Sequence, residues 1–254
     1  VRAQAITTDT TGLKVVDAKV KVTGGDMPVY FARPDKAKNP PVVLVAMEIF
    51  GLHEYIKDVT RRLAKLGALA VAPDYYFRKG EDLTKITEIP KLMPIVNTKP
   101  DAELLADLDA TAAWAKTQGG TDKLGIMGYC RGGRTVWVYS AHNSNLKAGV
   151  AFYGSLVDPE AQKAIWPKSP IELAPGMKAP VLGLYGEADA GIPVAQVEQL
   201  KAALAAANKP AEFKIYPATP HGFHADYRPS YRKEAADDAW GQMTAWFKKN
   251  GVLS

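Results

Sequence analysis

The sequence predicts an α/β protein, one domain built on a doubly wound, mostly parallel sheet with helices on both faces. Three observations carry this. Short continuous apolar runs, such as Val42 to Met47 and Val181 to Tyr185, alternate with longer segments of helical periodicity. Glu48, Cys130, Tyr153, Asp189 and His221 all fall just after predicted strands, and ligand sites in such sheets lie beyond the carboxyl ends of the strands. The length of 254 residues, with 47% hydrophobic and 23% charged residues, suits one large core.

Lys14 to Val22 alternates apolar and polar residues. Gly24-Gly25-Asp26 then turns the chain into Met27 to Ala32, so residues 1–33 form an N-terminal segment and an antiparallel edge hairpin. Val42 to Met47 is a strand buried on both faces, followed at once by Glu48-Ile49-Phe50-Gly51. A helix over Glu54 to Leu66 presents Ile56, Val59, Leu63 and Leu66 on one face and stops at Gly67. Ala68 to Ala72 is a strand closed by Pro73-Asp74. Tyr75 to Thr98 reads as an irregular cover, with Tyr76, Phe77 and Met93 as its apolar part. Asp101 to Lys116 is a helix with Leu104, Leu105, Leu108, Ala112 and Ala115 inward.

Leu124 to Met127 is the next strand, and Arg134 to Ser140 lies in the helix after it. Ala148 to Phe152 is a strand ending at Tyr153-Gly154, and residues 155–180 read as a second long loop. Val181 to Tyr185 is a strand ending at Gly186-Glu187-Ala188-Asp189. Val194 to Ala207 is a helix, Glu212 to Tyr216 a strand, and His221 lies in the loop beyond. Lys233 to Lys249 is a final helix burying Ala236, Trp240, Met243 and Phe247.

Between strand and helix stands Gly128-Tyr129-Cys130-Arg131-Gly132. This is the nucleophile-elbow pattern Gly-x-Nu-x-Gly with cysteine as its centre. The tight turn forces the central residue into a strained conformation, and the flanking glycines keep side chains out of the way. The sulfur then projects over a helix N-terminus, where a thiolate is favoured. Cys130 is the one cysteine of the chain, which excludes an internal disulfide.

Cys130, Asp189 and His221 follow in the order nucleophile, acid, histidine of α/β-hydrolase triads. His221 takes the thiol proton, and Asp189 orients the imidazole and stabilises its cation. Taken singly, Asp189 reads as a turn residue and His221 as a loop residue. Their joint placement after strands favours the triad. The oxyanion hole falls to the backbone N–H groups of Arg131 and Ile49. Glu48, a carboxylate ending an apolar strand, faces the site. Arg134 reads as a structural ion-pair partner, and His53, His142 and His224 receive no role.

These stretches resemble the dienelactone hydrolase family, cysteine members of the α/β-hydrolase superfamily. The resemblance runs from Val42 to Phe247. It rests on Glu48-Ile49-Phe50-Gly51, Pro73-Asp74-Tyr75-Tyr76-Phe77-Arg78, the Gly128–Gly133 elbow, Phe152-Tyr153-Gly154 and His221-Gly222-Phe223. It implies the triad Cys130–Asp189–His221. It also implies a switching role for Glu48, whose carboxylate holds the resting cysteine out of line until substrate arrives. Family members acting on dienelactone bind its carboxylate with arginines, one of them four residues past the catalytic histidine; here that position is Ala225. Arg78, Tyr153, Phe50 and Phe223 are the expected substrate-binding residues.

The expected activity is hydrolysis of a lactone or small ester by the thiol, with no cofactor and no metal. Two other readings stand beside it: a broad carboxylesterase or thioesterase, and a non-catalytic binding module on the same fold. The net charge of +5, from 32 basic and 27 acidic dispersed residues, gives no nucleic-acid footprint. No apolar run reaches the ~18 residues of a membrane span. The expected partner is a small-molecule substrate, and the expected state a monomer or weak homodimer. Val1 in place of Met and the small-residue spacing of Arg2-Ala3-Gln4-Ala5 suit a processed, exported protein; a cytoplasmic one fits as well.

Overall fold

The computed structural model describes residues 5–254, so of the Arg2–Ala5 stretch only Ala5 lies within it. Eight strands form one sheet: β1 (Leu13–Val22), β2 (Gly25–Pro34), β3 (Val42–Ala46), β4 (Leu69–Pro73), β5 (Leu124–Tyr129), β6 (Leu146–Phe152), β7 (Val181–Gly186) and β8 (Ala211–Tyr216). Their spatial order is β1-β2-β4-β3-β5-β6-β7-β8. The β1–β2 hairpin and the β2–β4 pairing are antiparallel, and every other pairing is parallel. β3, β4 and β5 are buried along their whole length, which explains why they read as unbroken apolar runs.

Six α-helices join the strands: α1 (Glu54–Lys65), α2 (Ile89–Val96), α3 (Asp101–Thr117), α4 (Arg131–His142), α5 (Val194–Ala206) and α6 (Lys233–Lys249). None among the described residues is long and apolar enough to cross a membrane. From β3 the chain passes to β4 on one side and later to β5 on the other. The C-terminal ends of β3 and β5 therefore flank a reversal of strand order, where doubly wound sheets open a crevice. Ala46 pairs with Gly128 across these strands. Glu48 and Cys130, each two residues further on, thus emerge side by side from strands ~4.8 Å apart.

The structure corrects the sequence reading at three places. Leu66 is 39% exposed and lies past the end of α1, which keeps Ile56, Val59 and Leu63 as its buried face. Tyr75 to Thr98 is not irregular: it holds two 3-10 turns, Phe77–Lys79 and Leu83–Lys85, and the helix α2. Pro90 and Pro94 disguise that helix. Pro90 sits in the first turn, where no N–H is required, and the bond Pro94 cannot donate would have gone to Pro90. Residues 155–180 likewise contain two 3-10 segments, Glu160–Gln162 and Pro170–Gly176.

Candidate active site

Cys130 links β5 to α4 with φ 57° and ψ −119°, a conformation that costs a non-glycine residue on the order of 1–3 kcal/mol. Its backbone over-determines the turn. The Cys130 N–H donates to the Phe152 carbonyl at 3.0 Å, and the Cys130 carbonyl accepts from the Gly133 and Arg134 N–H groups. A Cβ at Gly132 would collide with the Ala46 carbonyl, and one at Gly128 with the Gly132 carbonyl. Only glycine lets α4 begin this close to β3 and β5.

The loops after β7 and β8 bring the other two groups to the sulfur. His221 Nε2 lies 3.2 Å from Cys130 Sγ, and His221 Nδ1 lies 2.6 Å from Asp189 Oδ2. Asp189 is buried, and its Oδ1 accepts from the Gly191 N–H at 2.9 Å, which fixes the carboxylate's orientation. Burial opposes a charge on His221. The hydrogen bonds to Asp189 and to Cys130 outweigh it and lift the imidazole pKa from 6.5 to about 10.

A cleft of about 420 Å³ opens over the sulfur. Cys130, His221 and Asp189 form one wall, with Ile49, Arg131 and Tyr153 beside them. Met93 of α2 and Ile192 also line it, so Met93 is where the expected cover meets the site. The Ile49 and Arg131 backbone N–H groups donate to no other protein group among the described residues, as free oxyanion donors must. Tyr153 stands at φ 36°, fully buried, with a hydroxyl that has no partner.

Four expectations fail here. Arg78 is not in the cleft: its guanidinium is held by Asp107 at 2.7 and 2.9 Å, by Glu103 at 3.3 Å and by the Thr23 carbonyl at 2.8 Å. The two-pronged acidic site on α3 satisfies its planar fork and leaves nothing for a ligand. Phe223 is a core side chain, fully buried, with its ring 5.1 Å from that of Tyr153. Phe50 does not line the cleft. It packs edge-on to His53 at 6.0 Å, beneath the Arg228 guanidinium. Phe77 packs near Gly25 of the edge hairpin, outside the cleft.

Glu48 departs from the resting switch that the family resemblance implies. Its carboxylate is fully buried and accepts hydrogen bonds from His53 Nε2 at 2.7 Å and from Tyr227 Oη at 3.2 Å. It makes none to Cys130, whose sulfur bonds His221 instead. The sequence assigns His53 no role and does not mark Tyr227. His53 caps α1 five residues past Glu48, a return that only the turn at Gly51 allows, and Tyr227 lies in a loop with no periodic signal. Arg134 behaves as expected: its guanidinium forks to Asp101 and Asp158, all four contacts being 2.8 Å.

The chain's relatives agree with this architecture. Residues 27–251 match the model of the dienelactone hydrolase family. A protein of Methylorubrum extorquens named “Putative carboxymethylenebutenolidase” is 49% identical over 97% of this chain and 85% of its own length. A Bradyrhizobium protein named a probable 2-oxo-3-(5-oxofuran-2-ylidene)propanoate lactonase is 30% identical over 95% of this chain and 96% of its own. A crystal structure titled “Putative Dienelactone Hydrolase” from Klebsiella pneumoniae superposes with a TM-score of 0.90 at 47% identity, covering 93% of this chain and 99% of that one. With the family pattern matched from the edge hairpin to the last helix, this chain belongs to the dienelactone hydrolase family, hydrolases built on the α/β-hydrolase fold.

Proposed function

We propose that the protein hydrolyses lactones or small carboxylic esters through a Cys130–His221–Asp189 triad. The observation that carries this is the unbroken hydrogen-bonded chain from Asp189 through His221 to Cys130 Sγ, at the wall of an apolar cleft. His221 Nε2 is bonded to the sulfur and its pKa is lifted to about 10, so it is placed to take the thiol proton, and the attacking nucleophile is the thiolate of a thiolate–imidazolium pair.

The sulfur attacks the carbonyl carbon, forming a C–S bond while the carbonyl π pair moves onto oxygen. The Ile49 and Arg131 N–H groups receive that oxyanion. As the intermediate collapses, the ester C–O bond breaks and His221 Nε2 gives its proton to the departing alkoxide. His221, now neutral, takes a proton from water. The resulting hydroxide adds to the thioester, and the thiolate leaves to restore the ion pair with the acid as product. In a lactone the alcohol and the acid remain one molecule. All of these groups come from one chain, so the chemistry calls for no second copy. The relative named as a lactonase adds support for a lactone among the substrates.

The test is Cys130→Ala. Hydrolysis of p-nitrophenyl acetate falls by at least about 10³-fold, because residual catalysis from binding and the oxyanion hole alone is small. The circular dichroism spectrum stays native. Near-normal turnover by the folded variant would remove the proposal.

A further inference from the structure

Glu48 presents a problem that the proposed chemistry does not solve. A buried carboxylate level with Cys130, on the neighbouring strand of the same crevice, disfavours a thiolate by like-charge repulsion. Yet the sulfur is bonded to His221 and the carboxylate is turned elsewhere. Something must hold it there.

We infer that His53 and Tyr227 form a clamp that keeps the Glu48 carboxylate turned off Cys130, so that the thiol stands armed against His221 before substrate arrives. This rests on Cys130 being the nucleophile, as proposed above. His53 Nε2 binds Oε1 at 2.7 Å, and Tyr227 Oη donates to Oε2 at 3.2 Å and reaches Oε1 at 3.4 Å. Both carboxylate oxygens are thereby occupied. The clamp is itself braced: the His53 ring packs against Tyr227 at 5.2 Å, Phe50 at 6.0 Å and Tyr55 at 6.0 Å. His53 has a side-chain exposure of 18%, against 1% for Glu48. The carboxylate thus meets solvent only through its partners.

The remaining neighbours favour neither orientation strongly. Tyr55, Tyr129 and Tyr153 surround Glu48, and each hydroxyl is kept protonated by burial, with the Glu48 charge adding to the effect. Around Cys130 stand His221, Arg131, Tyr76 and Tyr153. None of these groups hydrogen-bonds the carboxylate; among the described residues its donors are His53 and Tyr227. His53 is therefore a positioning residue that acts on the nucleophile through Glu48.

The experiment is carbamidomethylation of Cys130 by iodoacetamide at pH 7, followed by intact mass; the chain's one cysteine makes the readout unambiguous. His53→Phe keeps a ring and removes the donor. It slows alkylation roughly tenfold, the effect of about one pKa unit on the thiolate. His53→Gln, which keeps an N–H donor, stays near the wild-type rate. His53→Phe combined with Glu48→Gln returns to it, because the repelling charge is gone. Tyr227→Phe, at an exposed position, tests the same clamp if His53→Phe does not fold. A wild-type rate in both His53→Phe and Tyr227→Phe, or a slow rate that persists in the double variant, overturns the clamp. Because alkylation needs no turnover, loss of the clamp and failure of the hydrolase reading register in separate assays.

Discussion

His224 lies three residues past His221 but lives under opposite physics. Its ring is buried between Tyr129 at 5.0 Å and Trp240 at 5.7 Å, and its Nδ1 meets Tyr55 Oη at 2.6 Å. Burial, together with the nearby Arg62 cation, lowers its pKa from 6.5 to about 3. The unfolded chain therefore takes up a proton below pH 6.5 that the folded chain refuses. The resulting stability is whole above pH 6.5 and is lost as pH falls toward 3, by up to about 1.4 kcal/mol per pH unit. His224→Gln should lower stability at pH 7 and flatten this acid limb. Urea unfolding at pH 7, 6, 5 and 4 checks it, and equal slopes in both proteins would contradict it. At this scale the sequence shows some residues and hides others for identifiable reasons. Cys130, Asp189 and His221 each follow a strand end, so topology announces them. His53, His224 and Tyr227 owe their positions to side-chain packing between loops, which leaves no period in the chain.

Elements meet around Arg134. It rises from α4, one turn after Cys130, and is 1% exposed. Its fork spans Asp101 at the start of α3 and Asp158 in the segment after β6, and its guanidinium lies 4.3 Å from the centroid of Trp166. The Trp166 indole in turn donates to the Lys99 carbonyl at 2.8 Å. One side chain thus ties the elbow helix to two neighbouring segments. Arg134→Met should cost about 3–5 kcal/mol, because it leaves two carboxylates buried without their cation. A shift in the urea midpoint worth less than 1 kcal/mol would show that the pairs contribute little. The ion-pair character of Arg134 was readable from a charge on an apolar helix face; its two partners, 33 and 24 residues away, were not. The strands and long helices were legible because burial imposes their periods. α2 was not, since two prolines in eight residues read as breakers while the apolar Leu92 and Val96 of the same segment are fully buried.

On the scale of the whole molecule, the sheet brings every expected catalytic group to one crevice, yet it commits the nearest arginines elsewhere. Arg78 is consumed by Asp107 and Glu103. Arg131 lines the cleft, but its guanidinium donates to Asn97 Oδ1 at 2.8 Å and stacks over Trp166 at 4.8 Å. Ala225 is fully buried and carries no charge. A charged hydrogen-bonded pair to a substrate carboxylate is worth about 1.5–3 kcal/mol, roughly 10- to 10²-fold in affinity. The cleft, about 420 Å³ and walled by Ile49, Met93 and Ile192, rewards apolar groups instead. The overall charge of +5 does not change this, since steering by dispersed charges raises encounter rates without placing a carboxylate. The protein should therefore turn over a neutral aryl acetate at least as efficiently as the anionic dienelactone. kcat/KM for both, measured on one preparation, decides the matter. A preference for the dienelactone of 10²-fold or more would contradict it and direct attention to Arg228, whose guanidinium lies 5.4 Å from the Phe50 ring centroid and beside Gly222. Arg228→Gln would then abolish that preference while sparing the neutral ester.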